Sequence, residues 1–324
     1  MSKDKNENWS DIQERSTYIG LRILLWLYNT AGIRTLNTML YFVVGFYFIT
    51  NIRARRASRQ YLRRLHIFMG SQSPWKKQPN LWHSFKHFMS FAGAVTDKII
   101  VWLGYYKLDD LTFFGYDAYE QARDAKKGVI LISSHLGNVE LCSAIAGSVK
   151  NMPLTILAHS KNAPNFKRIL AKVTGKKDHI EMIEVTAITP AIAVRLQEKI
   201  AAGGTIVIAG DRTAIKSQLR YEITSFLDHD AAFAQGPFIL AALLDCPVFF
   251  LFSMKKDQGY HVYFEKYSDS LKSSRKDRAA MLKIHIQHYV KRLEHYACAY
   301  PLQWFNFYDY WALPNKENNK EGLE

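Results

Sequence analysis

The chain of 324 residues is poor in the features that usually announce a function. Its three cysteines, Cys142, Cys246 and Cys298, are odd in number, widely spaced and without a CxxC pair. That excludes a disulfide framework and a structural zinc site, and it predicts a reducing, cytoplasmic setting. No GxSxG, no Walker loop and no GxGxxG occurs, so serine hydrolysis, nucleotide hydrolysis and dinucleotide binding lose their best support. His285 and His288 lie three apart with no HExxH and no carboxylate partner, which reads as a solvated helix face, and neither metal nor cofactor is expected. Acidic residues are scarce: 29 Asp and Glu face 43 Lys and Arg, a net charge of +14. Such a balance selects anionic partners, whether membrane lipid, an acidic carrier protein or nucleic acid. With no recognition motif and no second basic stripe, nucleic acid is the weakest of the three. The first 16 residues are hydrophilic and lack the apolar stretch of a cleavable signal peptide.

Long uncharged runs are also few, and the one present is informative. Thr35 to Ile52 is 18 residues without a charge, bracketed by Arg34 and Arg53. A membrane-crossing helix needs about 17 to 25 such residues, so this run is barely long enough. Ile19 to Ile33 before it is apolar but broken by Arg22, as in an amphipathic partner helix. Arg53, Arg55, Arg56, Arg59, Arg63 and Arg64 follow directly, a basic cluster suited to an anionic cytoplasmic leaflet. The expectation is a membrane-seated hairpin, monotopic or barely spanning; the alternative is a pair of core helices followed by a solvated basic one. The chain thus divides into a polar N-terminus (1–16), membrane-associated helices with their basic segment (17–66), a main domain (67–314) and a polar tail (315–324).

Beyond residue 100 strands and helices alternate. Strands are predicted at Gly128 to Ser133, Leu154 to Ala158, Glu181 to Val185, Thr205 to Ala209, Val248 to Phe252 and Val262 to Glu265. Helices are predicted at Leu136 to Val149, Pro164 to Val173, Pro190 to Ala202, Gly236 to Leu244 and Arg275 to Tyr296. This is the pattern of an α/β fold with a mixed, mainly parallel sheet flanked by helices. Two strand ends carry chemistry. In Gly128-Val-Ile-Leu-Ile-Ser-Ser-His-Leu-Gly-Asn-Val-Glu140 an apolar strand runs into His135, with Glu140 five residues on. An imidazole there can act as a general base near neutral pH, its other nitrogen oriented by a carboxylate; the plainer reading is a helix cap or a surface histidine. Thr205-Ile-Val-Ile-Ala-Gly-Asp-Arg212 leaves the sheet on the same side if both strands are parallel, bringing Asp211 and Arg212. Arg is a fixed fork for oxyanion, phosphate or sugar oxygens, and Asp can hold it or bind a hydroxyl; a surface turn with a local ion pair is the alternative. Trp304-Phe-Asn-Phe-Tyr-Asp-Tyr-Trp311 either closes the core over the site or lies at headgroup level.

His135-x4-Glu140, then Gly210-Asp-Arg212, then Gln235-Gly-Pro237 before an apolar helix, together resemble the lysophospholipid acyltransferase superfamily, and most nearly its bacterial lipid A late acyltransferase branch. Ser134 to Glu140, His159-Ser-Lys-Asn-Ala163, Gln235 to Pro237 and Pro301-Leu-Gln-Trp-Phe-Asn-Phe-Tyr308 are more similar to predicted acyltransferases of aryl polyene or flexirubin-type pigment pathways. One departure is Phe226-Leu-Asp228, where Phe-Leu-Gly is expected. The resemblance implies a glycerol-3-phosphate acyltransferase-like fold with N-terminal membrane-associated helices at the cytoplasmic face of a bacterial inner membrane. It implies transfer of a fatty acyl chain from a thioester, on acyl carrier protein or CoA, to a hydroxyl of a lipid or glycolipid, with anionic lipids as further partners. His135 is then the base and Glu140 its orienter, with Ser134, Gly137, Asn138, Asp211, Arg212 and Gln235 facing substrate. The N–H groups near Gly137 and Asn138, or Arg212, are the candidates to stabilise the oxyanion.

Overall fold

The computed structural model describes residues 38–102, 111–125, 128–139, 154–158, 180–184, 189–212, 221–257 and 259–313. The predicted helix at Pro164 to Val173, most of that at Leu136 to Val149, and Glu140 lie outside them.

Among the described residues three helices come first: α1 (38–50), α2 (Ile52–Met69) and α3 (Leu81–Trp102). The apolar run does not continue as one rod. Asn51 ends α1, and its side chain accepts a hydrogen bond from the Ala54 amide at 3.0 Å, so the chain restarts there as a new helix. Among the described residues no helix is long and apolar enough to cross a membrane. The basic cluster is also divided. Arg53, Arg56, Arg59 and Arg63 recur at helical spacing and are exposed. Arg55 instead turns back to the Phe48 carbonyl at 2.9 Å, and Arg64 stacks on Trp311 with 4.3 Å to the ring centroid.

The main domain follows as β1 (Leu111–Phe114), α4 (Tyr116–Asp124), β2 (Val129–Gly137), β3 (Leu154–Ala158), β4 (Ile180–Glu184), α5 (Pro190–Ala201), β5 (Thr205–Ala209), β6 (Tyr221–Phe226), β7 (His229–Ala234), α6 (Gly236–Leu244), β8 (Val248–Lys256), β9 (Gly259–Ser268) and α7 (Arg278–Ala299). Seven strands form one sheet in the order β1-β9-β8-β2-β5-β3-β4. β8, β2, β5, β3 and β4 are mutually parallel, β9 runs antiparallel to β8, and β1 parallels β9. The fold is therefore α/β with a mixed, mainly parallel sheet. Its central strands are apolar on both faces because both are covered. Ile130, Ile132, Ile206, Ile208, Phe250 and Phe252 enter the larger core with residues of α5, α6 and α7, while Val129, Leu131, Val207, Phe249 and Leu251 meet Tyr119 of α4 on the other side.

β9 is longer than the predicted Val262 to Glu265 because it pairs with β8 along almost its whole length. Its alternation buries Tyr260, Val262 and Phe264 on one face. β6 and β7 form a separate antiparallel hairpin whose tip is Leu227-Asp228, both with positive φ, 53° and 59°. That is the two-residue turn that matches strand twist, and Asp tolerates the left-handed region better than most side chains. Asp228 thus occupies, at φ 59°, a left-handed turn position that glycine would also fill. Leu227 stays in this conformation because its side chain is fully buried and its amide donates to Glu294 Oε1 at 2.7 Å.

Candidate active site

β2 and β5 are neighbours in register, with Ser133 opposite Ala209. Two residues further on each chain, His135 therefore faces Asp211. Gly210 makes this approach possible, since a Cβ there would lie 2.9 Å from Ile132 Cγ2 and 3.1 Å from Tyr289 Cζ. Its amide donates to the Ser133 carbonyl at 2.8 Å, which accepts the Tyr289 hydroxyl at 2.8 Å as well.

The sequence places Asp211 among substrate-facing side chains; the structure gives its carboxylate to His135. Oδ1 accepts from His135 Nδ1 at 2.8 Å, and Oδ2 accepts from the His135 amide at 2.9 Å. Oδ2 also accepts from Asn306 Nδ2 at 3.1 Å and Trp304 Nε1 at 3.2 Å. Asp211 is fully buried and has no open face for a substrate hydroxyl. Burial alone would raise its pKa, but the facing His135, the donated hydrogen bonds and the Arg212 charge outweigh this and hold it at about 2. Asp211 is thus an anion at any ordinary pH. It fixes the imidazole as the Nδ1–H tautomer, leaving the Nε2 lone pair free to take a proton. Nε2 has no partner among the described residues, and the side chain is 35% exposed.

Arg212 is exposed, yet two of its three nitrogens are anchored. Nε donates to Asn306 Oδ1 at 2.6 Å and Nη2 to the Phe305 carbonyl at 2.8 Å. Asn306 therefore bridges the pair, its amide on Asp211 and its oxygen on Arg212. The strap 303–306 is fastened to β2 by Gly137 N to Gln303 O at 2.8 Å and Phe305 N to His135 O at 2.9 Å. Tyr310 closes the arrangement, donating to the Asp211 carbonyl at 2.7 Å. Burial and the Asp211 charge push the Tyr289 and Tyr310 hydroxyls well above their ordinary range, so both remain donors. The C-terminal aromatic run thus closes the core: Trp304, Phe305, Tyr310 and Trp311 are all buried.

The other predicted site residues divide differently. The N–H groups of Gly137 and Asn138, expected at an oxyanion, are committed to the carbonyls of Gln303 at 2.8 Å and Ser253 at 2.7 Å. The Asn138 side chain donates to Ala94 O at 2.8 Å, and Ser134 Oγ accepts from the Leu136 amide at 3.2 Å. Gly137 has φ 71°, and a Cβ there would collide with the Ser253 carbonyl, so it serves the turn out of β2. Gln235 precedes α6 and its side chain reaches Tyr221 O at 3.4 Å and Glu222 Oε2 at 3.5 Å; it bonds to none of His135, Asp211 or Arg212. Sequence reasoning missed Trp304 and Asn306 as partners of Asp211. The available signal was one amide side chain, Asn306, inside a run of aromatics.

A buried carboxylate holding one nitrogen of a half-exposed imidazole, with an anchored guanidinium beside it at the end of a parallel sheet, can deprotonate a hydroxyl and stabilise the anion formed at a carbonyl. Among curated proteins none matches the chain. The family model described as bacterial lipid A biosynthesis acyltransferase matches residues 16–312, which is nearly the whole chain, and the protein belongs to that family.

Proposed function

We propose that the protein transfers a fatty acyl chain from a thioester to a hydroxyl of a membrane lipid or glycolipid, with His135 as general base. The observation that carries this reading is the His135 Nδ1 to Asp211 contact at 2.8 Å, which leaves Nε2 open at the sheet end in a chain of acyltransferase family. Nε2 removes the hydroxyl proton as the oxygen attacks the thioester carbonyl. The tetrahedral oxyanion then collapses, the C–S bond breaks, and the imidazolium returns its proton to the leaving thiolate. No acyl-enzyme is required. Such base catalysis contributes about 10²- to 10⁴-fold. Arg212, with a third nitrogen uncommitted to the strap, is the donor best suited to the oxyanion, because the Gly137 and Asn138 amides are occupied. The orienting role expected of Glu140 falls to Asp211 in this reading, since Nδ1 carries a single proton.

The surface supports a bilayer as the place of reaction. Phe42, Phe46 and Ile49 form a stripe on α1 that is 77%, 71% and 69% exposed, with Trp82 exposed on α3 and the four solvent-facing arginines of α2 nearby in sequence. Apolar side chains flanked by Arg suit an interfacial helix on anionic lipid at the cytoplasmic face of an inner membrane. A net charge of +14 also suits an acidic acyl carrier protein as donor, with CoA thioester as the other choice.

Mass spectrometry of products tests the reading, using purified protein, acyl-carrier thioester and lipid-extract vesicles. Acylated lipid is expected. Free fatty acid alone would make the protein a thioester or lipid hydrolase, and consumption of no thioester would leave it a lipid- or carrier-binding protein.

A further inference from the structure

We infer that His87 is a positioning residue for the catalytic pair, acting through the backbone carbonyl of Trp304. This rests on the acyltransfer reading above for its consequence, though not for its geometry. His87 lies on α3, 217 positions before Trp304, whose carbonyl accepts from its Nε2 at 2.9 Å. Its Nδ1 accepts from Ser58 Oγ at 3.0 Å, and Ser58 Oγ in turn accepts from Ser84 Oγ at 2.8 Å. Ser58, Ser84 and His87 are all fully buried. A directed chain therefore runs from the α2–α3 pair to the strap: Ser84 to Ser58, Ser58 to His87, His87 to Trp304.

The far end of that chain is the site. The strap residue whose carbonyl His87 holds also donates Nε1 to Asp211, and Asn306 two positions on holds both Asp211 and Arg212. The strap is bonded to β2 on one side, by Gln303 and Phe305. His87 fastens its other side. Aromatic packing fixes the register, with the Tyr61 ring 4.9 Å from Trp304 and 5.4 Å from His87, and Phe307 4.7 Å from His87. Burial holds the His87 pKa down to about 4, the Trp304 bond opposing only in part, so the ring is neutral and has one N–H. That N–H is the one given to Trp304. His87 is fully buried with both ring nitrogens occupied, which separates it from a catalytic residue.

Two variants test the inference. His87→Ala removes the donor, whereas His87→Gln keeps an amide N–H at similar reach. Two readouts are followed in each: steady-state transfer, and the NMR titration of the His135 ring, whose Nδ1 is held by Asp211. His87→Ala is expected to lower kcat about 10- to 100-fold with the KM for thioester within about twofold, as a small displacement of reacting groups does. It is also expected to move the His135 midpoint, and His87→Gln to restore both. If His87→Ala keeps the wild-type kcat and midpoint, or if the Gln variant is impaired as much as the Ala variant, the inference is wrong. The NMR arm needs no turnover. A shifted midpoint in His87→Ala, together with a wild type that acylates nothing, would therefore overturn the acyltransfer reading and leave the positioning role standing.

Discussion

Replacing Asp211 with Asn removes one charge and almost no volume, so its effects isolate what the carboxylate does. Oδ2 accepts three N–H groups, from His135, Trp304 and Asn306, whereas Oδ1 accepts only His135 Nδ1. An amide placed there turns its oxygen toward the three donors and its NH₂ toward Nδ1. Nδ1 must then become an acceptor, and the ring changes to the Nε2–H tautomer, which has no lone pair where the base is needed. A wrong tautomer in a comparable arrangement costs about 10⁴-fold, so Asp211→Asn is expected to lower kcat by about 10³- to 10⁴-fold. There is a stability effect too. The Asp211 pKa falls from an ordinary 3.8 to about 2, which corresponds to about 2 kcal/mol in favour of the folded state. Because the folded-state value is depressed, that contribution is present above about pH 4 and is lost as pH falls toward 2. The wild type should lose it across that acid window and Asp211→Asn should not. Initial rates of lipid acylation, with urea melts at pH 7 and pH 3, measure both. A variant within tenfold of wild type in kcat would refute the assignment of Asp211 as the group that fixes the base.

Three further outcomes follow from the same geometry. Asn306→Ala removes one of the two anchors of Arg212 and a donor from Asp211, and is expected to reduce kcat about 10- to 100-fold; an unchanged rate would show that Asn306 does not position the pair. Gly137→Ala places a Cβ against the Ser253 carbonyl at positive φ and should destabilise the protein by about 3 kcal/mol or more, read as a lowered urea midpoint, with a wild-type midpoint contradicting the role given to that turn. Arg59→Gln and Arg63→Gln remove exposed charges from α2, and each should weaken binding to anionic vesicles about fivefold, or about 1 kcal/mol, with no effect on neutral ones; equal binding of the double variant would move the lipid-facing surface elsewhere.

The fold was legible where apolar runs were short and bounded. β3 and β5 occupy the residues that their β-branched runs predict, and α5 and α6 begin at Pro190 and Gly236 as their turn residues require. The β6–β7 hairpin was not, because its tip is Leu-Asp rather than a glycine turn, and the positive φ of Leu227 is imposed by burial. The two halves of the site were visible as strand ends, each three residues past its last isoleucine, at Ile132 and Ile208. Their partnership was hidden, since pairing of β2 with β5 is a long-range choice that local pattern does not encode. Residue spacing pointed to Glu140 as the partner of His135. Glu140 lies outside the described residues, and the strand register brings Asp211 to Nδ1. Of the groups expected at the oxyanion, the amides of Gly137 and Asn138 meet carbonyls that the strap and β8 supply, long-range contacts that local pattern does not encode. The strap itself lies more than 90 residues beyond Asp211, and its aromatic run did not reveal that Trp304 and Asn306 hold the carboxylate.

The most direct test is the rate at which radiolabelled acyl groups pass from carrier thioester to vesicle lipid, for the wild type and His135→Ala, with circular dichroism to confirm that both are folded. Labelled lipid should appear with the wild type, and His135→Ala should form it at least about 100-fold more slowly. Near-equal rates in the two proteins would contradict His135 as the base.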